Sequence, residues 1–242
     1  MTWPNERAND LIIGTAEGKV RVCMSKTNKS QSLFGQESFV VSISSSPDGN
    51  SVVAGFLDNS IVTFHLDTKN KGKIVHSTIP YALSWGSHIV AGGNDGKIAF
   101  YEPTGDCFQR FDYSKDEKVK EFTCASFNAS GETCLVGNFD RFYVYNFNTK
   151  RPQWDEICCK KIENYYSVTA ACWKPDGSKL CVGSICGSVD IFEICLKKAR
   201  YKGKFEFTYV SLSQVLVTRL ENGQRIVLKS ANGYEISKIN VY

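Results

Sequence analysis

Three groups of residues in this 242-residue chain have types and spacings that could do chemistry. The first is a pair of glycine-rich loops that end in lysine, Gly14-Thr-Ala-Glu-Gly-Lys19 and Gly92-Gly-Asn-Asp-Gly-Lys97. A phosphate-cradling loop places four residues between its glycines and a Mg²⁺-binding hydroxyl after its lysine. Both loops are one residue short, and Val20 or Ile98 stands where the hydroxyl belongs. Such a loop must also open a helix, whose first amides bind the anion. These loops open β-rich runs instead, so both read as hairpin turns.

The second group is the metal-ligating set. The ten cysteines are Cys23, Cys107, Cys124, Cys134, Cys158, Cys159, Cys172, Cys181, Cys186 and Cys195. Zinc is held by closely spaced Cys or His pairs. Cys158 and Cys159 are adjacent, Cys181 and Cys186 have no second pair nearby, and His65, His76 and His88 fall on different repeats. The cysteines read as small hydrophobes inside strands, as in Lys179-Leu-Cys-Val182. Residues 1–10 are polar and lack the apolar stretch of a secretory signal, so free thiols in a reducing compartment are expected. The sequons at Asn28 and Asn128 then read as chance matches. No apolar run approaches the ~18 residues of a spanning helix.

The third is Gly183-Ser-Ile-Cys-Gly187, which has the outline of a nucleophile elbow but carries Ile185 at its centre. No catalytic, metal or cofactor residue is assigned, and no small-molecule substrate is expected. A propeller-type hydrolase is the remote alternative; it would need acids and a histidine converging on a central channel.

The elements that carry these residues follow a repeat. A glycine, an acidic residue three positions on and a β-branched or aromatic residue three further recur at Gly14-Glu17-Val20, Gly55-Asp58-Ile61, Gly92-Asp95-Ile98 and Gly137-Asp140-Tyr143. A fifth copy, Gly183 to Val189, has Cys186 at the acidic position. Successive glycines lie 41, 37, 45 and 46 residues apart. In three repeats a turn glycine precedes the signature glycine by six residues: Gly49, Gly131 and Gly177. Turns such as Ser46-Pro-Asp-Gly49 and Lys174-Pro-Asp-Gly177 separate β-rich runs. No long segment shows helical periodicity.

A period of about 40–45 residues with several short strands predicts an all-β propeller, whose blades bury their faces by stacking. Repeats are expected near 1–36, 38–78, 79–120, 121–165 and 166–204, with a further strand-rich segment over 205–242. Thr2-Trp3-Pro4 resembles the end of a first strand. This ragged start predicts about five blades of a larger propeller.

The signature resembles degenerate WD repeats. The acidic hairpin residue is present at Glu17, Asp58, Asp95 and Asp140. The Trp-Asp ending is replaced by Phe64-His65, Tyr101-Glu102, Tyr145-Asn146 and Phe192-Glu193, and the Gly-His dipeptide is absent. Beyond the signature, the chain is similar to the N-terminal propeller region of the intraflagellar transport 172 family. The segments that carry this include Ala16–Arg21, Pro80–Trp85, Phe111–Asp116, Asp176–Gly183, Tyr201–Glu206 and Val227–Ser230 with Gly233-Tyr-Glu235. That resemblance implies a non-enzymatic scaffold of the transport B particle, acting in anterograde intraciliary transport and cilium assembly. It implies other transport subunits and cargo as partners, and a place in the cilium, at axoneme and basal body, and in the cytoplasm. It also implies two blades before residue 1, which would make the propeller seven-bladed, the start of a second propeller near 205, and helical repeats further on. A generic WD-repeat adaptor of a vesicle coat or ubiquitin ligase is the alternative.

Composition is that of an ordinary globular protein, with 42% hydrophobic and 22% charged residues and a net charge of +4. The one dense charge run is Lys197-Lys198-Ala-Arg200-Tyr-Lys202-Gly-Lys204. It reads as a solvated linker or as a docking patch for an acidic protein surface or anionic lipid headgroups. Stacking aromatics are sparse around it, which argues against nucleic acid.

Overall fold

The computed structural model describes residues 1–68, 70–195, 197–231, 234 and 236–240. Every regular element among them is a β-strand, and the strands form six antiparallel sheets in chain order. The first sheet holds β1 (Asp10–Gly14), β2 (Lys19–Met24) and β3 (Lys29–Gly35). The second holds β4 (Val40–Ser45), β5 (Ser51–Phe56), β6 (Ser60–His65) and β7 (Lys71–Val75). The third holds β8 (Ala82–Trp85), β9 (Ile89–Gly92), β10 (Lys97–Tyr101) and β11 (Cys107–Asp112). The fourth holds β12 (Cys124–Phe127), β13 (Thr133–Gly137), β14 (Arg141–Asn148) and β15 (Gln153–Lys161). The fifth has three strands, β16 (Val168–Trp173), β17 (Lys179–Ser184) and β18 (Val189–Glu193). The sixth holds β19 (Lys197–Tyr201), β20 (Phe205–Tyr209), β21 (Gln214–Arg219) and β22 (Arg225–Lys229).

Each sheet is an up-and-down meander, which is the blade of a propeller. The first strands β4, β8, β12 and β16 lie side by side, so these sheets radiate from a common axis. Thr2 adds a remnant of such a strand to the first sheet: its amide donates to the Ile12 carbonyl at 2.9 Å and its carbonyl accepts the Ile12 amide at 3.0 Å. This agrees with the strand end read at Thr2-Trp3-Pro4.

The core is a series of interfaces between successive sheets. Ile12 and Val20 meet Phe56 and Phe64; Val53 and Ile61 meet Leu83 and Tyr101. Phe100 meets Tyr145 and Trp154; Leu135 and Val144 meet Val168 and Leu180. This explains why Ser60-Ile-Val-Thr-Phe is buried at every position instead of alternately. A strand sandwiched between two sheets has no solvent face.

The predicted turns form as expected. Gly49, Gly131 and Gly177 have φ of 69°, 73° and 70°, the left-handed region that only glycine enters without strain.

Two expectations need correction. The linker expected at 197–204 is instead strand β19 followed by a tight turn at Lys202-Gly203, whose φ values are both positive at 49° and 65°. Positive φ at both central positions marks a hairpin turn whose twist matches its strands. Ala199 and Tyr201 pack into a cluster with Phe207 and Tyr209, which fixes β19 to the sixth sheet and leaves the fifth with three strands. The cysteines read as small hydrophobes inside strands do lie in strands, except Cys186 and Cys195, but few of them are buried. All ten are free thiols; only Cys134 is buried, while Cys107, Cys158, Cys159, Cys172, Cys186 and Cys195 are exposed. Of the residues that carried the family resemblance, Gly233 and Glu235 lie outside the described residues.

Candidate interaction surface

The repeat signature builds the scaffold instead of binding a ligand. Asp58 sits in the β5–β6 turn, where its Oδ1 accepts the Ser60 amide at 3.1 Å and the Ser60 hydroxyl at 2.6 Å. Gln36, in the loop that enters the same sheet, donates to Asp58 at 3.3 Å, and the Asp58 amide donates to Ser38 Oγ at 3.0 Å. Burial pushes this carboxyl up, but the Ser60 donors outweigh it and hold it below the usual range. Asp95 repeats the arrangement, accepting the Ser77 hydroxyl at 2.5 Å and the Lys97 amide at 3.1 Å. Asp140 is held by Arg141 at 2.7 Å and Lys161 at 3.7 Å, and Glu17 by Lys19 at 2.7 Å. Each hairpin is thus fixed without the Gly-His dipeptide, through Gln36, Ser77 or a neighbouring cation. At the fifth hairpin Cys186 replaces the carboxylate, with Ser184 Oγ at 2.7 Å and Ser188 Oγ at 3.6 Å.

The signature glycines have a different reason. A β-carbon on Gly55 would stand 2.7 Å from Pro80, and one on Gly137 would stand 2.8 Å from Val168. Gly14 meets Val40 and Gly92 meets Phe122 in the same way. In each case the contact is the segment that begins the next sheet, so the glycine lets neighbouring blades approach. Gly183 is the exception: the nearest atom to its β-carbon position is the Ala170 carbonyl of its own sheet, at 3.9 Å.

The two glycine-lysine loops and Gly183–Gly187 are tight turns between paired strands, so no helix opens at any of them. The histidines are not brought together. His76 is buried, with Nδ1 2.7 Å from the Tyr101 hydroxyl, and burial pushes its pKa down to about 4. His88 packs on Phe108 at 4.3 Å between rings, with Nε2 3.4 Å from Glu102. Among the described residues no group of three or more Cys, His, Asp or Glu is placed to hold a metal ion.

What the fold offers to partners is therefore surface. One mouth of the channel between the first strands is a cavity of about 390 Å³, lined by serines, Asn5, Asn128, Trp85 and Trp173. Its charged lining group is Lys174, whose Nζ is 2.6 Å from Asp176; no carboxylate or imidazole lines it. The basic run is displayed along one exposed hairpin. Lys198 and Arg200 both lie beside Glu206, at 3.9 and 3.2 Å. Lys197 lies over the Tyr209 ring and Lys202 over that of Tyr201, at 5.6 and 5.2 Å. The charge presented outward is thus concentrated toward Lys197, Lys202 and Lys204.

A second cavity, of about 340 Å³, lies between the fourth and fifth sheets, lined by Phe142, Val144, Phe192 and Ile194. Sequence reading missed it. Its signal is the Lys202-Gly203 turn, which pairs β19 forward with β20, so that among the described residues β18 has no outer neighbour.

Comparison with known proteins agrees with this architecture. Residues 27–64 match the WD domain, G-beta repeat family. The Myceliophteria thermophila Cps50 (Swd1) β-propeller domain aligns with a TM-score of 0.66 over 94% of this chain and 85% of that one, at 15% identity, which shows a common fold. Over its whole length the chain is 48% identical to intraflagellar transport protein 172 of Chlamydomonas reinhardtii and 43% identical to the Homo sapiens homolog. It is 32% identical to intraflagellar transport protein osm-1 of Caenorhabditis elegans. The chain spans 14% of the length of each of these relatives. With a WD-repeat match, a propeller of stacked antiparallel sheets and this identity over its whole length, the chain belongs to the intraflagellar transport protein 172 family, matching its N-terminal part.

Proposed function

We propose that this chain is a non-enzymatic interaction scaffold, a propeller segment of a subunit of the intraflagellar transport B particle. It acts in anterograde intraciliary transport and cilium assembly. Its place is the cilium, at axoneme and basal body, and the cytoplasm. The observation that carries this reading is the identity of 32–48% to transport proteins across the entire chain, with no blade left out. A rigid stack of blades with variable turns suits docking of several proteins at once.

Other transport subunits and cargo are the partners, met through the exposed turns and the basic hairpin. Lys197, Lys198, Arg200, Lys202 and Lys204 form a docking patch for an acidic protein surface, with weak contact to an anionic membrane as a secondary use.

The test is to tag the protein at its own locus in ciliated cells. The expected result is tagged particles moving toward the ciliary tip and co-purification with transport subunits. Absence from cilia, with recovery in a coat or ubiquitin-ligase complex, would overturn it.

A further inference from the structure

The fifth sheet sets two thiols against each other. In the β16–β17 pair Cys172 stands directly opposite Cys181, between the pairs Ala171–Val182 and Trp173–Leu180. Opposite residues of an antiparallel pair send their side chains to the same face of the sheet. Burial raises the Cys181 pKa, and the Cys172 thiol beside it raises it further. Elsewhere Cys23, Cys107, Cys124, Cys134, Cys158 and Cys159 each face a residue other than cysteine. Among the described residues Cys172 and Cys181 are thus the one pair of cysteines opposed in register.

The ladder determines what bond the pair can form. The Lys174 amide donates to the Lys179 carbonyl at 2.9 Å, which makes these two a hydrogen-bonded pair. Pairs alternate along an antiparallel ladder, so Trp173–Leu180 is non-hydrogen-bonded and Cys172–Cys181 is hydrogen-bonded again. The Cα atoms of such a pair lie about 5.5 Å apart, within the roughly 4.4–6.8 Å that a disulfide spans. Their Cβ atoms lie about 5.5 Å apart, against about 3.8 Å in an average disulfide. A bond here must draw the strands together, and such strain makes a disulfide easy to reduce.

Access comes through the channel. Cys172 is exposed and lines the cavity of about 390 Å³ at the mouth, beside Trp173. A small reagent therefore reaches its sulfur without opening the sheet. Cys186 is exposed as well, but its neighbours are Ser184 and Ser188, so it can be capped and not cross-linked in place.

We propose that Cys172 and Cys181 form a reversible redox modification site, closed by a small-molecule disulfide such as glutathione disulfide and reopened by the matching thiol. The Cys172 thiolate attacks one sulfur of the reagent, which forms a mixed disulfide and releases one thiol. The Cys181 thiolate then attacks the Cys172 sulfur, forms the Cys172–Cys181 bond and releases the second thiol. The two protein thiols lose two electrons and two protons, and the reagent gains both. The new bond ties β16, which lines the channel, to β17 and removes the Cys172 thiol from the mouth. In a reducing compartment such a bond is transient, the usual mark of a redox sensor.

The test incubates the 242-residue chain at rising ratios of glutathione disulfide to glutathione, quenches with acid, alkylates the free thiols and maps every cysteine by mass spectrometry. Cys172 and Cys181 are expected to be lost from alkylation together, on one titration curve, and recovered as one linked peptide. Trp173 emission should fall with the same curve while the far-UV spectrum keeps its strand signal, and excess glutathione should reverse both changes. Cys181→Ser should stop at a mixed disulfide between Cys172 and glutathione. Cys172→Ser should leave Cys181 free, and Cys186→Ser should leave the cross-link unchanged. The site is overturned if the two thiols titrate separately, or if Cys172 joins another cysteine or a second chain. Cross-linking that appears only once the strand signal is lost overturns it as well.

Discussion

Gly137 lies so close to Val168 that a β-carbon on the glycine would stand 2.8 Å from the valine Cγ1. Two sheets meet at this point, and the contact is rigid on both sides. Gly137→Ala should therefore destabilise the chain by about 1–3 kcal/mol, the usual cost of overpacking. Gly183 occupies the same place in the fifth sheet without a facing blade. Gly183→Ala should be neutral or stabilising by up to about 1 kcal/mol, because alanine restricts the unfolded chain. Urea denaturation of both variants checks the pair.

Trp154 is the largest fully buried side chain and joins the third and fourth sheets through Phe100, Phe127 and Phe147. Trp154→Ala should cost about 3–5 kcal/mol. Trp173 donates its indole N–H to the Ser126 carbonyl at 3.0 Å at the half-buried channel mouth. Its replacement by phenylalanine should cost about 1 kcal/mol, the net worth of one hydrogen bond. Thermal melts of the two variants should differ accordingly.

Asp176 provides a pH signature. Burial raises its carboxyl pKa, but Lys174 at 2.6 Å and the Ser178 hydroxyl and amide at 2.6 and 3.0 Å prevail and hold it down at about 2. A depressed native pKa contributes stability that is fully present above the unfolded value near 4 and is lost as pH falls through about 2. Solvent screening keeps the contribution to about 1 kcal/mol. Asp176→Asn should reduce stability at pH 7 and flatten its decline between pH 4 and pH 2, read by denaturant titration at each pH.

Cys186 should be the most reactive thiol. Donation from Ser184 and Ser188 lowers its pKa to about 7, whereas burial pushes Cys124 up to about 12. Iodoacetamide labelling read by mass spectrometry should reach Cys186 first, with a rate that rises through pH 7 and slows in Ser184→Ala. Cys134, fully buried, should label only on unfolding.

The basic hairpin should act through charge left unpaired. Replacing Lys202 and Lys204 with glutamine should slow association with an acidic partner several-fold at low salt, and the difference should vanish at high salt. Replacing Lys198 and Arg200, which share Glu206, should have a smaller effect. Equal affinity of all variants at every salt concentration would remove the patch from the docking surface.

The blades were legible in the sequence because the signature encodes local geometry. A glycine where the next sheet presses close, an acid that receives the turn amides and a β-branched residue that starts the next strand are all nearest-neighbour requirements. They recur wherever a blade recurs, as at Gly55-Asp58-Ile61 and Gly92-Asp95-Ile98. The family was legible because the segments that carry the resemblance, from Ala16–Arg21 to Val227–Ser230, are spread along the chain. What the sequence left open is where the pairing stops. The run Lys197–Tyr201 has the composition of a linker and of an outer strand alike, and its alternation suits pairing with either β18 or β20. The choice is made by Phe207 and Tyr209, which bury Ala199 and Tyr201, and by a turn that two positive φ angles bend toward β20. The free edge of β18, the cavity beside Phe192 and the exposure of Val189 and Ile191 all follow from that one choice. It is a competition between distant surfaces for one strand, and only the tertiary structure decides it.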